Sequence, residues 1–268
     1  MGFELDEYLR RIGYAGPRAA TEEVLTEVQL RHVQTIAFEN FNSWLKRPVA
    51  LDTETLVEKM VRGRRGGYCY EHNLLFGEAL RALGFGVVGL AARVIWNAPA
   101  GVTRGRTHMA LRVEAGGGAY LCDVGFGGPT PTGPLRMEAG VEQTTPHERF
   151  RLMAAGNEFV LEIEIPGGWM PLYQFGETPQ LLADYEVANW YVSTHPKSMF
   201  VTTLLAARPA AGVRYALRNN EFTAHRLSGE TERRVLRDAD EVRAVLEEVF
   251  LLKTPEGAEF EERLGRSL

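Results

Sequence analysis

The hydrophobic period of this chain changes once, near Gly84, and that change limits the possible folds more than any single residue does. Before it, "LDEYLRRIGY", "TEEVLTEVQLRHVQTI", "DTETLVEKMVRG" and "NLLFGEALRALGFG" carry apolar residues at helical spacing. Thr21 and Asp52 stand where N-caps are expected, and Gly84 or Gly86 closes the last helix. After it come short strand-like runs separated by Gly and Pro: "VVGLAARVIW", "THMALRVEA", "AYLCDVGFG", "RFRLMAAG", "FVLEIEIPG" and "GWMPLYQFG". Such a series predicts an antiparallel sheet or barrel. "MFVTTLLAAR", "VRYALRNNEFTAHRL" and "RRVLRD" predict further strands, and "DADEVRAVLEEVF" a capped helix. The expected order is helices over 1–84, strands over 85–193 and a small mixed α/β unit over 194–268. No repeat, low-complexity segment or long linker interrupts it.

The 268 residues, 45% hydrophobic and 24% charged, suffice for a real core. A net charge of −5 gives no global reason for nucleic-acid binding. No apolar run approaches the roughly 18 residues of a spanning helix. The start, "MGFELDEYLRRIGY", is acidic and amphipathic and lacks a signal-peptide core, so the expected location is the cytoplasm. Two cysteines, Cys69 and Cys122, are too few for a disulfide framework and are expected as thiols. There is no His/Cys cluster at zinc spacing, no Walker loop and no "GxGxxG" after a strand, so metal and nucleotide-hydrolysing chemistry have no support.

"RGRRGGYCYEHN" places Cys69 after two glycines and at the start of a helix. A thiol there faces the positive end of the helix dipole, and Arg62, Arg64 and Arg65 could stabilise a thiolate further. A buried, inert cysteine fits the segment equally well. A nucleophilic thiol needs a base, and the base an orienting group. His72 could share a face with Cys69, although "EHN" reads equally as solvated. His108 opens a strand after the loop "NAPAGVTRGR", a place from which it can line a cleft. Asp123 ends the next strand, where burying an acid is expensive without a partner. A hairpin turning at Gly116, Gly117 and Gly118 would oppose residues whose numbers sum to about 233. His108 and Asp123 sum to 231, a small register shift away. The alternative is that Asp123 caps the turn after it. Cys122 points to the opposite face and reads as core. His32 and His195 read as structural, and His147 and His225 belong to no constellation.

Cysteine, histidine and aspartate now stand in that order, and the chain resembles the arylamine N-acetyltransferases. "RGGYCYEHN" resembles that family's active-site signature, and "THMALRV" and "CDVGFGG" its histidine and aspartate segments. "AFENFN" resembles its "PFEN" element, with Ala37 in place of the proline. Beyond about residue 195 the resemblance is general only. It implies an α+β fold: an N-terminal helical bundle, a central antiparallel β-barrel and a C-terminal α/β lid, with a core like that of cysteine proteases and transglutaminases. It implies Cys69 as nucleophile, His108 as base and Asp123 as orienting acid, with Arg65, Glu39 and Asn42 as structural support. Phe38 is implied to line the acceptor pocket, while Tyr68 and Tyr70 stand where the family commonly has other aromatic or apolar residues and could tune that pocket. The family adds CoA contact at the Gly125, Phe126, Gly127 and Gly128 turn, whose N–H groups suit a phosphate or the pantetheine arm.

The implied activity is acetyl transfer from acetyl-CoA, a co-substrate rather than a resident cofactor, to small aromatic amines or hydrazines. No metal, nucleic acid or membrane is implied, and the protein is expected as a monomer or homodimer. Arg104 and Arg106 could add charge for CoA, or belong to a solvated loop. Three rivals share the features: a thiol hydrolase, an amide synthase drawing on a carrier-bound acyl chain, and a binding module that kept the scaffold.

Overall fold

The structure is a computed structural model that describes residues 3–99 and 101–266. The N-terminal third holds helices α1 (Leu5–Arg11), α2 (Glu22–Thr35), α3 (Phe41–Trp44), α4 (Thr53–Leu56) and α5 (Cys69–Ala82), with a two-residue strand β1 (Phe38–Glu39) between α2 and α3. Thr21 caps α2 by accepting from the Val24 N–H, and Asp52 caps α4 by accepting from that of Thr55. α4 runs on as a π-helical segment, Val57–Arg62. Gly84, at φ +91°, ends the α5 region as expected of a left-handed cap.

Eight antiparallel strands follow: β2 (Gly86–Val94), β3 (His108–Ala115), β4 (Gly118–Cys122), β5 (Leu135–Arg136), β6 (Glu142–Thr144), β7 (Arg149–Ala155), β8 (Glu158–Ile165) and β9 (Gly168–Phe175). Their order, β5-β4-β3-β2-β9-β8-β7-β6, is a nearly closed barrel. The β3–β4 hairpin turns on Gly116 and Gly117, both at positive φ, which the tight two-residue turn requires. Its pairs run from Leu111–Cys122 to Ala115–Gly118 and sum to 233. That register sorts the two faces. Ala110 and Leu121 enter the barrel interior with Phe150, Leu161 and Phe175. Met109, Leu111, Val113, Tyr120 and Cys122 pack instead with the helices.

Helices α6 (Leu182–Thr194) and α7 (Met199–Thr202) lead to strands β10 (Leu205–Ala210), β11 (Val213–Arg218), β12 (Glu221–Arg226) and β13 (Thr231–Val235). α8 (Ala239–Ala244), a π-helical segment (Val245–Val249) and α9 (Ala258–Gly265) close the chain. The second sheet runs β1-β10-β11-β12-β13, so Phe38 and Glu39 contribute its first strand. Phe41 and Trp44 are buried with Phe250 and Phe260 in the core beneath it.

Two segments differ from the sequence expectation. "MFVTTLLAAR" begins as the turn of helix α7, because the Ser198 hydroxyl accepts from the Phe200 N–H, and becomes strand only at Leu205. α6 has no signature in the sequence because Leu182, Val187, Trp190 and Tyr191 are exposed while Tyr185 and Val192 are buried. A helix apolar all round shows no stripe. No helix among the described residues is long and apolar enough to cross a membrane.

Candidate active site

Cys69 is the first residue of α5, with Tyr68 as its N-cap. The Glu71 carboxylate reaches back to the Tyr68 N–H at 3.1 Å, the reciprocal half of a capping box. Lys59 binds Glu71 at 2.6 Å and lies 3.8 Å from Glu39. Arg65 donates from Nε to Glu39 at 2.9 Å and from Nη2 to Asn42 at 3.2 Å. Burial opposes the charge on Glu39, but Arg65 and Lys59 hold its pKa below the usual carboxylate range. Glu71 shifts the other way, because burial and the nearby Glu39 outweigh Lys59. Two of the three arginines upstream of Cys69 are thus engaged by carboxylates: Arg65 braces the loop as above, in line with its expected support role beside Glu39 and Asn42, and Arg62 pairs with Glu7 and Glu58.

His108 and Asp123 come from the barrel. His108 shares the interior-facing parity of Ala110, and Asp123 that of Leu121, so the two side chains leave the same face. His108 Nε2 donates to Asp123 Oδ2 at 2.7 Å. The small register shift anticipated from sequence is a diagonal across the end of the hairpin. Asp123 is fully buried, and its other oxygen accepts from Asn73 Nδ2 at 3.1 Å and from the Gly125 N–H at 2.9 Å. Burial disfavours charge on His108, yet the Asp123 charge and hydrogen bond outweigh it. With a smaller contribution from the adjacent Cys69 sulfur, they push the imidazole pKa up to about 10. With Nε2 committed to Asp123, Nδ1 is the nitrogen left for Cys69. The Cys69 Sγ also lies 3.8 Å from the Thr107 carbonyl oxygen, just before His108. The rings of Phe126 and Tyr173 pack on His108, with centroids 5.1 and 4.9 Å away.

Sequence reasoning passes over Asn73. Its amide donates to the carbonyls of Cys69 (3.1 Å) and Met109 (2.8 Å) as well as to Asp123, and accepts from the Val124 N–H at 3.2 Å. It thus ties α5 to β3 and to the Asp123 turn. The available signal is its spacing of four from Cys69, which puts both on one helix face. His72, which reads equally as solvated in the sequence, is fully buried. Cys122 is buried in the core with Leu111 and Val113, and both cysteines are free thiols.

The residues expected to touch substrate are placed as follows. Phe38 lies beside Phe200, with ring centroids 6.2 Å apart, and a Cβ added at Gly127 would sit 3.7 Å from its ring. Tyr70 is buried edge-on to Tyr68 at 5.8 Å, and its hydroxyl has no hydrogen-bond partner among the described residues. At the glycine turn, the Gly125 N–H is engaged by Asp123 and that of Phe126 by the Thr130 hydroxyl at 3.4 Å, so neither is free for a phosphate. Only the N–H groups of Gly127 and Gly128 have no such bond among the described residues. Arg106 pairs with Glu158 at 2.7 Å, and Arg104 leans on the Trp96 and Asn97 carbonyls. Among the described residues no group of three or more His, Cys, Asp or Glu could hold a metal ion.

A thiol, an imidazole and a carboxylate stand in series between the helices and an antiparallel barrel, an arrangement open to thiol chemistry of several kinds, and sequence comparison supplies the type. A family model described as N-acetyltransferase matches residues 21–257, well past residue 195. The arylamine N-acetyltransferase of Mycobacterium tuberculosis (strain ATCC 25618 / H37Rv) is 43% identical over 254 residues, 93% of this chain and 89% of that protein. That of Escherichia coli (strain K12) is 37% identical over 247 residues, 92% of this chain and 88% of the other. The structure of Mycobacterium marinum arylamine N-acetyltransferase in complex with CoA superposes with a TM-score of 0.95 at 42% identity, covering 98% of this chain and 99% of that one. The chain belongs to the arylamine N-acetyltransferase family and is an acetyltransferase.

Proposed function

We propose that the protein carries an acetyl group from acetyl-CoA through Cys69 to aromatic amines or hydrazines, in two half-reactions. The carrying observation is the buried 2.7 Å His108–Asp123 bond with the Cys69 thiol against the same imidazole. Asp123 orients His108 and favours its protonated form, which supports a resting thiolate–imidazolium pair. The Cys69 thiolate adds to the thioester carbonyl, the tetrahedral intermediate collapses, and the CoA sulfur leaves with the proton held by His108. The acceptor nitrogen then adds to acetyl-Cys69, His108 takes its proton, and Cys69 departs as the thiolate, releasing the amide. Aryl nitrogens suit this step because they are uncharged, hence nucleophilic, at neutral pH. The aromatic walls around His108 would keep water from the acetyl-enzyme.

Phe38 and Tyr70 are assigned to the acceptor side. Gly127 and Gly128 are assigned to CoA, with Phe126 acting through its packing on His108 and Gly125 through its close approach to α5. Arg65, Glu39 and Asn42 brace the loop that carries Cys69. The proposed division falls near 84 and 193, with β1, α3, α6 and the helix-facing side of β3 and β4 packing across it. A reducing cytoplasm would keep both cysteines as thiols.

The test is intact-protein mass after brief exposure to acetyl-CoA without acceptor. Wild type and Cys122→Ser should each gain one acetyl group, 5-aminosalicylate should discharge it, and Cys69→Ser should gain none. No gain on wild type, with Cys69 still rapidly alkylated by iodoacetamide, would refute the acetyl-CoA reading and direct attention to a carrier-bound donor or a hydrolase.

A further inference from the structure

Behind α5, three side chains that acetyl transfer does not use form a buried line. The Tyr8 hydroxyl lies 2.8 Å from His32 Nδ1, His32 Nε2 lies 2.9 Å from His72 Nδ1, and His72 Nε2 lies 3.2 Å from the Ala37 carbonyl oxygen. All three side chains are fully buried. The line joins α1, α2 and α5 to the residue just before Phe38.

Hydrogen-bond chemistry permits one arrangement of protons. The Ala37 carbonyl only accepts, so His72 carries its hydrogen on Nε2. Burial keeps both imidazoles neutral, pushing His72 down to about 4 and His32 well below its ordinary value. His72 Nδ1 is then bare and accepts from His32 Nε2–H. His32 Nδ1 is bare in turn and accepts the Tyr8 O–H. Every bond points toward Ala37.

Ala37 is a junction. A Cβ added at Gly66 would stand 1.9 Å from its carbonyl oxygen, so the glycine loop before Cys69 passes directly over it. The next residue is Phe38, whose ring lies 8° from parallel to that of His72 at 6.4 Å. Its backbone is held beside Gly67, whose carbonyl accepts from the Glu39 N–H at 2.8 Å.

We propose that His72 is a positioning residue for the acceptor: through the Ala37 carbonyl it fixes Phe38, and Tyr8 and His32 lock the one tautomer that can do so. The inference rests on the proposed acetyl transfer for its kinetic consequence, and on hydrogen-bond geometry and the burial of both imidazoles for the tautomers.

The test separates ring from hydrogen bond. His72→Phe keeps a flat ring against Phe38 and loses both bonds. His72→Gln keeps a donor for Ala37 and an acceptor for His32. His72→Phe should raise the KM for 5-aminosalicylate about tenfold while Cys69 acetylation by acetyl-CoA stays within twofold of wild type, and His72→Gln should restore the KM. An unchanged KM in His72→Phe, or equal losses in both half-reactions, overturns the proposal. Two-bond proton–nitrogen correlation spectra of the wild-type imidazoles decide it where a variant fails to fold. Neutral Nε2–H tautomers at His32 and His72 are expected at pH 7, and an Nδ1–H or cationic His72 overturns the chain. Wild-type protein that acetyl-CoA cannot acetylate would refute the transfer reaction instead, and the spectra would still judge the chain.

Discussion

Replacing Gly125 by alanine adds one methyl group where the Asp123 turn meets the start of α5. The new Cβ would fall 2.6 Å from the Cys69 Cα, 2.9 Å from Asn73 Nδ2 and 3.0 Å from the Cys69 carbonyl oxygen. Carbon atoms pack at about 3.5–4.0 Å, so the turn and the helix must separate by about 1 Å. The nearest atom is backbone at a helix N-terminus and cannot swing aside as a long side chain would. Overpacking of this kind destabilises by about 1–3 kcal/mol. The larger effect falls on geometry, because Cys69 rides on the helix while Asp123, and through it His108, ride on the turn. A misplacement of about 1 Å between reacting groups lowers rates by about 100-fold. Gly125→Ala should therefore fold, melt a few degrees lower and acetylate Cys69 about 100-fold more slowly. Gly133→Ala is the control, since its added Cβ meets nothing closer than 3.8 Å. Stopped acetylation time courses read by intact mass, with thermal melts alongside, are the assay. An alanine variant that acetylates within threefold of wild type would refute the claim that this approach sets the alignment.

Asp123→Asn should lower the acetylation rate by about 10³–10⁴-fold, since the amide favours the wrong imidazole tautomer; a near-wild-type rate would reduce Asp123 to a turn cap. Asn73→Ala removes the bonds to Cys69, Met109 and Asp123 together, and should lower both stability and acetylation rate, the former by about 2–3 kcal/mol in urea titrations. His72 makes the fold acid-sensitive. Its pKa is about 4 in the folded protein against 6.5 for an unperturbed histidine, so between those values the unfolded chain holds the extra proton. Stability from this residue is intact above about pH 6.5 and falls by about 1.4 kcal/mol per pH unit toward pH 4, about 3 kcal/mol in all. His72→Gln should flatten the difference in urea midpoint between pH 7 and pH 5; an unchanged slope would contradict the burial argument. His108 has the opposite sign: its pKa is raised to about 10, so its contribution is full below about pH 6.5 and lost as pH rises toward 10.

The hairpin carrying His108 and Asp123 is legible because its turn is coded locally. Gly116 and Gly117 adopt positive φ, which sets the register, and a period of two then assigns each side chain a face. Cys69 is legible as a helix start for the same kind of reason, since glycines precede it and Glu71 closes a capping box three residues after Tyr68. Chain spacing alone misleads for the arginines because sequence shows charge without direction. Arg65 and Cys69 are four apart in the chain, yet Glu39 and Asn42, more than twenty residues upstream, take the guanidinium, as the family resemblance implies and the spacing does not. His72 misleads for the complementary reason. A histidine between Glu and Asn looks polar, and only the arrival of α1 and α2 over α5 shows that it bonds to His32 and, through His32, to Tyr8.

The least legible feature also shapes the site most. Phe38 and Glu39 form a strand too short to leave a period, and they pair with Ala207 and Ala206, far along the chain. Glu39 anchors that strand to Arg65 of the cysteine loop, while Asn40 donates to the carbonyls of Phe200 and Thr203 and accepts from the Leu205 N–H. The C-terminal sheet is therefore joined through "FEN" to the loop that presents Cys69, and a shift in either would move Phe38. Arg214 makes a second tie, donating to the Gly128 carbonyl at 2.9 Å while paired with Glu148. The last seventy residues thus hold the proposed site from both sides, at Phe38 and at the glycine turn. The resemblance implies the Arg65, Glu39 and Asn42 support and a C-terminal lid, but not the strand pairing of Phe38 and Glu39 with Ala207 and Ala206 or the Arg214 tie, because these depend on pairings between residues far apart in the chain.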